Sequence, residues 1–312
     1  MKLLDRIRQE DVAGLDFHHD HIVASHFITT PDGPRLNKLA VGQYESGMTD
    51  REMAAEIRAF WKKEKLPTRT VCTCLHSQAL VIRYFNYKNL SMDELPPVLA
   101  LEAEEALQCD SANIAMDWEL NQTSAQPSGL SGTLFAAPQK TITRHLNLIK
   151  AAGLYSIRVE ASCSALSNLY SFLNKNSQTR PVCLVSLNEW TADIVMCSNE
   201  GAYPRSVFSA DKQWKDNQDY LLENIQNALL YYHLKLKNPP IEQILLIGKI
   251  SQMNDFQKKL SQQTALTVTR LNVTDNPLLQ FSQPEPGYQQ DWNCNLATSI
   301  GLGLRKEDYE LV

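Results

Sequence analysis

Four of the chain's seven histidines and two aspartates crowd into GLDFHHDHIVASHF, residues 14–27, where His18, His19, Asp20 and His21 adjoin one another just after Asp16. Such a cluster can hold a divalent metal, contact a phosphate or move a proton. Strand geometry limits the first option. If HIVASHF is a strand, His21 and His26 are five residues apart, face opposite sides and cannot share an ion. His18, His19 and Asp20 share a turn, but structural zinc sites use four well-spaced ligands. A metal-binding enzyme built on the His18–His21 turn is therefore the weakest of three functional readings, no metal is expected, and solvated turn histidines are the plain expectation. His76 and His145 have no acid or base partner visible in sequence. A hydrolytic triad cannot be singled out, because any chain with Ser, His and Asp offers one.

The seven cysteines are odd in number and scattered, with Cys72 and Cys74 two apart in TVCTCL. As a strand this puts both on one face without forming a CxxC redox pair, so buried core thiols in a reducing compartment are expected. MKLLDRIRQED has charges where a secretory leader needs an apolar run. The net charge of -5 and the lack of a basic run interleaved with aromatics exclude an evident nucleic-acid surface. Apolar runs such as ILLIG are far shorter than the roughly 20 residues that span a bilayer.

The elements that must carry these residues alternate between strand and helix. GLDF, HIVASHF and LNKLAVGQY read as a meander. Thr49 with Glu52 forms a capping box for a helix that stacks Ile57, Phe60 and Trp61 on one face. RTVCTCL and ALVIRYFNY are strands, Ser91 with Glu94 signals the helix VLALEAEEALQ, and IAMDWEL and TLFAAP are strands joined by the Ser/Gly/Pro/Gln-rich NQTSAQPSGLSG. A helix ending on Gly153, the strand SIRVEAS and the helix SALSNLYSFLNK follow. The second half opens with PVCLVSL and IVMCS, then a helix over about 217–235, the strand IEQILLIG, the helix MNDFQKKLSQQ and the apolar LATSIGLGLR. An α/β architecture in two related lobes follows.

The halves echo each other. GLDF, a polar turn and HIVASHF open one; LVSL, the turn NEWTAD and IVMCS open the other. Sugar kinases, the heat-shock chaperone ATPase and actin share this plan of two ribonuclease-H-like lobes whose opening hairpins clamp nucleotide phosphates. SMDELPPVLALEAEEAL followed by SANIAMDWEL, FAAPQK followed by LNLIKAAGLYSIRVEASCSAL, and LLIGKISQMNDFQKKL followed by ATSIGLGLR resemble, in order, stretches of the PilM family, actin-like proteins of type IV pilus assembly. The resemblance covers nearly the whole chain.

It implies an actin-like α/β fold: a first lobe over 1–68, an inserted partner-binding α+β subdomain over 69–138, the first lobe again over 139–180, a second lobe with a truncated insertion over 181–275, and a segment returning to the first lobe over 276–312. It also implies a nucleotide site, which here is degraded. Asp16 matches the aspartate that holds hydrated magnesium, but the turn after it is His18-His19-Asp20 where backbone N–H groups should approach phosphate. The second hairpin reads Ser186, Asn188, Glu189 and Trp190 in place of Asp, Gly and small hydroxyl residues, and a carboxylate there repels phosphate. Gly248-Lys249 keeps one glycine of a pair. SADKQWKD stands where the family inserts a helical subdomain.

The leading expectation is thus a non-catalytic scaffold, not an enzyme, without cofactor. An active ATPase using ATP and magnesium at a His-rich phosphate loop is the alternative. The resemblance implies as partners the cytoplasmic N-terminal tail of a PilN-like inner-membrane protein and other pilus platform components, with a homo-oligomer conceivable. The location implied is cytoplasmic, at the inner membrane through that partner alone. Tyr84, Phe85 and Tyr87 with Glu102, Glu104 and Glu105 are the expected wall of the partner groove.

Overall fold

In the computed structural model, residues 11–18, 20–31, 33–76, 79–121, 129–174, 180–198, 201–248, 254–273 and 293–304 are described. They build two five-stranded sheets of one design and a three-stranded sheet. In the first lobe β1 (Ala13–Phe17), β2 (His21–Thr30) and β3 (Gly33–Gln43) form an antiparallel meander, and β4 (Thr70–Leu75) and β8 (Tyr155–Ala161) add in parallel on the other side of β1, giving the order β3-β2-β1-β4-β8. In the second lobe β9 (Val182–Leu187), β10 (Thr191–Ser198), β11 (Gly201–Phe208), β12 (Gln243–Gly248) and β13 (Thr267–Arg270) repeat the pattern as β11-β10-β9-β12-β13.

The helices repeat it too. α1 (Asp50–Lys63) follows the first meander; its capping box forms, with Thr49 N donating to Glu52 Oε2 at 2.8 Å. Ala54, Ile57, Phe60 and Trp61 are buried on one face, as their spacing requires. α3 (Gln139–Ala151) precedes β8 and ends at Gly153, whose φ of +81° suits glycine. α5 (Gln218–Leu230) and α6 (Asn254–Thr264) hold the corresponding places in the second lobe. α4 (Ser162–Leu173) and α7 (Asn293–Leu304) pack together between the sheets, where Leu166, Leu169, Ala297 and Ile300 join Val23 and Phe27 of one sheet to Val195 and Ile247 of the other. The crossing is close: a Cβ on Gly301 would lie 1.8 Å from the Ala165 carbonyl oxygen.

Between β4 and α3 lies the third sheet, β5 (Val81–Lys88), β7 (Gly129–Pro138) and β6 (Ile114–Leu120), covered by α2 (Leu95–Leu107). Its core is Phe85, Leu95, Leu99, Ala103 and Leu134. Glu94 Oε2 accepts from Ser91 N and Oγ, half of a capping box, just before the helix, which begins at two prolines whose missing N–H groups need no partner there. β7 begins at Gly129, so the end of the expected Ser/Gly-rich linker is strand. In the second lobe residues 209–217 cross directly from β11 to α5 through the short turn Trp214–Asp216, with no inserted subdomain. Among the described residues no helix is long and apolar enough to cross a membrane.

Candidate functional site

Parallel pairing of β1 with β4 sets Leu15 beside Thr73, so the next pair along the ladder is Asp16 and Cys74. Neighbouring strands are about 4.8 Å apart and residues two apart share a face, which brings His76 to the same spot. Asp16 Oδ1 lies 2.9 Å from His76 Nε2 and accepts from the Cys74 thiol at 3.5 Å; Cys74 Sγ is 3.8 Å from His76 Nε2. His18 closes the cluster, with Nε2 3.5 Å from Asp16 Oδ2 and its ring 4.1 Å from that of His76 and 4.4 Å from that of His21. From α7, Asn295 Nδ2 meets His18 Nε2 at 2.8 Å. The turn is pinned by His18 N donating to the His21 carbonyl, Tyr44 N to the Asp20 carbonyl and the Tyr44 hydroxyl to the His18 carbonyl.

His18 and His21 therefore do not stand in solvent as expected of turn histidines; their rings stack inward because the hairpin closes against Tyr44 and a buried carboxylate. His21 Nδ1 is 2.6 Å from Asp20 Oδ1, and His26 turns to Asn37 and Asp11. His19 lies outside the described residues. His76, unassigned from sequence, is the partner of Asp16, and His145 bonds Thr73 Oγ1 at 2.7 Å through Nε2 while stacking on Phe17.

Burial raises the Asp16 carboxyl, but the charges of His18 and His76 outweigh it and hold the group well below the usual carboxylate range. Burial opposes protonation of His76, and Asp16 overrides it, so its pKa is raised. Burial, then the charge on His76, takes His18 down to about 4. Burial and the adjacent Asp16 hold the Cys74 thiol well up. These shifts favour an Asp16 carboxylate paired with a His76 imidazolium, beside a neutral His18 and a protonated thiol. Asn295 donating to Nε2 fits that neutral imidazole.

The second hairpin carries different chemistry. Ser186 pairs with Asp193 across β9 and β10, and both are buried. Asp193 accepts from Ser162 at 2.7 Å and from Ser206, and burial outweighs these bonds to raise its pKa. Asn188 N donates to the Thr191 carbonyl, and the Glu189 carbonyl accepts from Trp214 N, so residues 209–217 cap this turn. Gly248 ends β12 beside Leu187; Lys249 lies outside the described residues.

The expected partner wall is largely committed inside the molecule. Phe85 is buried under α2, Tyr84 donates to the Pro204 carbonyl and stacks on Tyr231 of the second lobe, the Tyr87 hydroxyl bonds Glu102, and Glu104 accepts from Ser111 N. Glu105 is exposed. A groove of about 900 Å³ opens elsewhere, between α1 and α3, with Asn113 of the inserted subdomain at one end. Arg51, Arg58, Lys140 and Arg144 line it, and Arg144 forks onto Asp50 at 2.6 and 2.7 Å.

No family model and no curated protein matches the chain. Solved structures do. A chain of the PilM-PilN type IV pilus biogenesis complex superposes with a TM-score of 0.79 at 16% identity, over 96% of this chain and 99% of that one. The cytoplasmic domain of EpsL, an inner membrane component of the type II secretion system of Vibrio cholerae, gives 0.53 at 10% identity over 94% of each chain. A Bacteroides thetaiotaomicron protein with an actin-like ATPase fold and unknown function gives 0.52 at 12%, over 86% and 93%. The chain is an actin-like protein by fold, two ribonuclease-H-like lobes with a small subdomain inserted in the first. Within that class its fold is PilM-like over 96% of the chain.

Proposed function

We propose that this chain is a non-catalytic scaffold of a type IV pilus-type assembly platform that captures the N-terminal tail of a PilN-like membrane protein. The observation that carries the non-catalytic part is the state of Asp16. Its side chain is fully covered and ion-paired to His76, with His18 over its second oxygen. A hydrated magnesium needs that carboxylate open to the cleft, and a phosphate needs the small turn that the imidazoles now fill. The PilM-like fold supports the pilus role.

For the tail, the groove between α1 and α3 is the better seat than the aromatic strand, because it is open and borders both the first lobe and the inserted subdomain. An extended peptide loses ordering entropy there and gains pockets and contacts to the arginines. Location at the inner membrane would come through this partner.

The test is fluorescence anisotropy of a labelled N-terminal peptide of the membrane partner against the full chain. Ala55, exposed in the groove, replaced by Trp, and Arg144→Glu should each weaken binding about tenfold or more. Unchanged affinity in both variants overturns the groove assignment. In parallel, ATP with excess magnesium should leave the unfolding midpoint unmoved. A rise of several degrees that vanishes in Asp16→Ala would restore the ATPase reading, since a ligand at about 100 times its Kd adds about 2.7 kcal/mol.

A further inference from the structure

The covered cluster has a donor set that an ion pair alone does not explain. A thiol is held against a carboxylate and an imidazole, and the three donor atoms all lie within 4.8 Å of one another. Oδ1 of Asp16, Sγ of Cys74 and Nε2 of His76 stand 2.9, 3.5 and 3.8 Å apart. Those separations lie within about 0.4 Å of the edges, roughly 3.3 Å between oxygen and nitrogen and 3.5 Å to sulfur, of one face of a tetrahedron about a zinc ion, whose bonds run about 2.0 Å to oxygen and nitrogen and 2.3 Å to sulfur. Thiolate, imidazole and carboxylate together suit zinc and are poor ligands for magnesium.

We infer that Asp16, Cys74 and His76 form a zinc site where β1 meets the end of β4. The sequence builds it with little freedom. Asp16 closes β1, and Cys74-Leu75-His76 puts two donors on one face as β4 ends beside it. The fourth position faces His18, whose ring lies alongside that of His76. The second lobe supplies an internal control. By the matching register, Ser186 and Ile247 occupy the places of Asp16 and Cys74, and the donor set is gone. A cation held by the chain itself would tie β1 to β4. This site is not the His18–His21 turn weighed from sequence; it uses one residue of the first hairpin and two from β4 and its end.

The experiment uses the full chain stripped with a chelator, then titrated with Co²⁺ as a spectroscopic probe and with Zn²⁺. One equivalent of Co²⁺ should give the absorption of a four-coordinate ion with a thiolate-to-cobalt charge-transfer band, displaced by Zn²⁺. Cys74→Ser should lose the charge-transfer band, and His76→Gln should weaken binding by more than the 10- to 100-fold typical of an outer-shell change. Cys72→Ser should leave both intact. Absence of the band in the unmodified chain, or its survival in folded Cys74→Ser, overturns the site. If Cys74→Ser does not fold, the Zn²⁺-dependent rise in unfolding midpoint decides: it should occur in the unmodified chain and vanish in His76→Gln, and persistence there overturns the site. Peptide capture in the α1–α3 groove does not depend on this metal, so either result can fail alone.

Discussion

The two opening hairpins share one frame and fill it differently. In the first, the carboxylate is on the inner strand, Asp16 opposite Val23; in the second it has crossed the ladder, Ser186 opposite Asp193. Asp16 is ringed by imidazoles and a thiol and stays charged. Asp193 is ringed by two serines, and burial pushes it towards the neutral acid. Each is held by one of the two crossing helices: Ser299 of α7 donates to the Gly14 carbonyl and accepts from Ser25, whereas Ser162 at the start of α4 bonds Asp193 directly. One duplicated frame therefore holds its first site by backbone fit and charge, its second by neutral hydrogen bonds.

The harshest way to break the first hairpin is through its fit. A Cβ on Gly14 would lie 2.0 Å from the Ser299 carbonyl oxygen and 2.6 Å from Gly303 N, both backbone atoms that cannot swing away. Gly14→Val should cost about 5 kcal/mol, at the exceptional end for one substitution, and leave little soluble protein. Urea unfolding of whatever is recovered checks this; a loss under about 2 kcal/mol means that α7 is free to shift.

Next comes the charge. In the chelator-stripped chain, Asp16→Asn removes one member of a buried pair and should destabilise the fold by about 3 kcal/mol at neutral pH, because an uncompensated imidazolium is left inside. His76 should respond by losing its proton, and its imidazole pKa, followed by NMR, should fall below the ordinary 6.5 from the raised value that Asp16 now imposes. An unchanged His76 titration would mean that Asp16 is not its partner.

A third test uses acid, which should loosen the first lobe before the second, since six of the seven histidines precede residue 146 and only His233 falls in the second lobe. Burial, then the charge on His76, lowers His145 from 6.5 to about 4. Between those values the unfolded chain takes up a proton that the folded chain refuses, so stability falls as pH drops from about 6.5 to 4, by about 1 to 3 kcal/mol. His145→Gln keeps a partner for Thr73 and should make that part of the curve shallower, leaving the share of His18, which is lowered to about 4 as well. An unchanged slope would place the acid sensitivity elsewhere.

The frame was legible in sequence because a hairpin is local: GLDF and LVSL each announce a strand, and turn residues separate them from their partners. The contents were not, because Asp16 meets His76 across 60 residues through parallel pairing, and His18 meets Asn295 across 277. One signal was available. A ribonuclease-H-like lobe pairs its first strand with the strand after its first helix, and TVCTCLH then sets Cys74 and His76 beside Asp16. The surroundings of the aromatic strand were hidden for a related reason: alternation says that Tyr84 and Phe85 face opposite ways, but not that one meets the second lobe and the other α2.

The gentlest substitution sharpens the contrast most. Asp193→Asn has the same shape as Asp16→Asn and an equally buried position, yet it removes a charge that burial already disfavours. The amide oxygen still accepts from one serine, and the amide nitrogen can donate to the oxygen of the other, so few buried polar atoms lose a partner. The expected cost is about 1 kcal/mol or less, with no change in the His76 titration beyond the small effect of a distant charge. Measured side by side by urea unfolding at one pH, the two substitutions should differ by about 2 kcal/mol. Equal costs would mean that Asp193 is ionised in the folded chain, and that both hairpins, not the first alone, hold a buried charge.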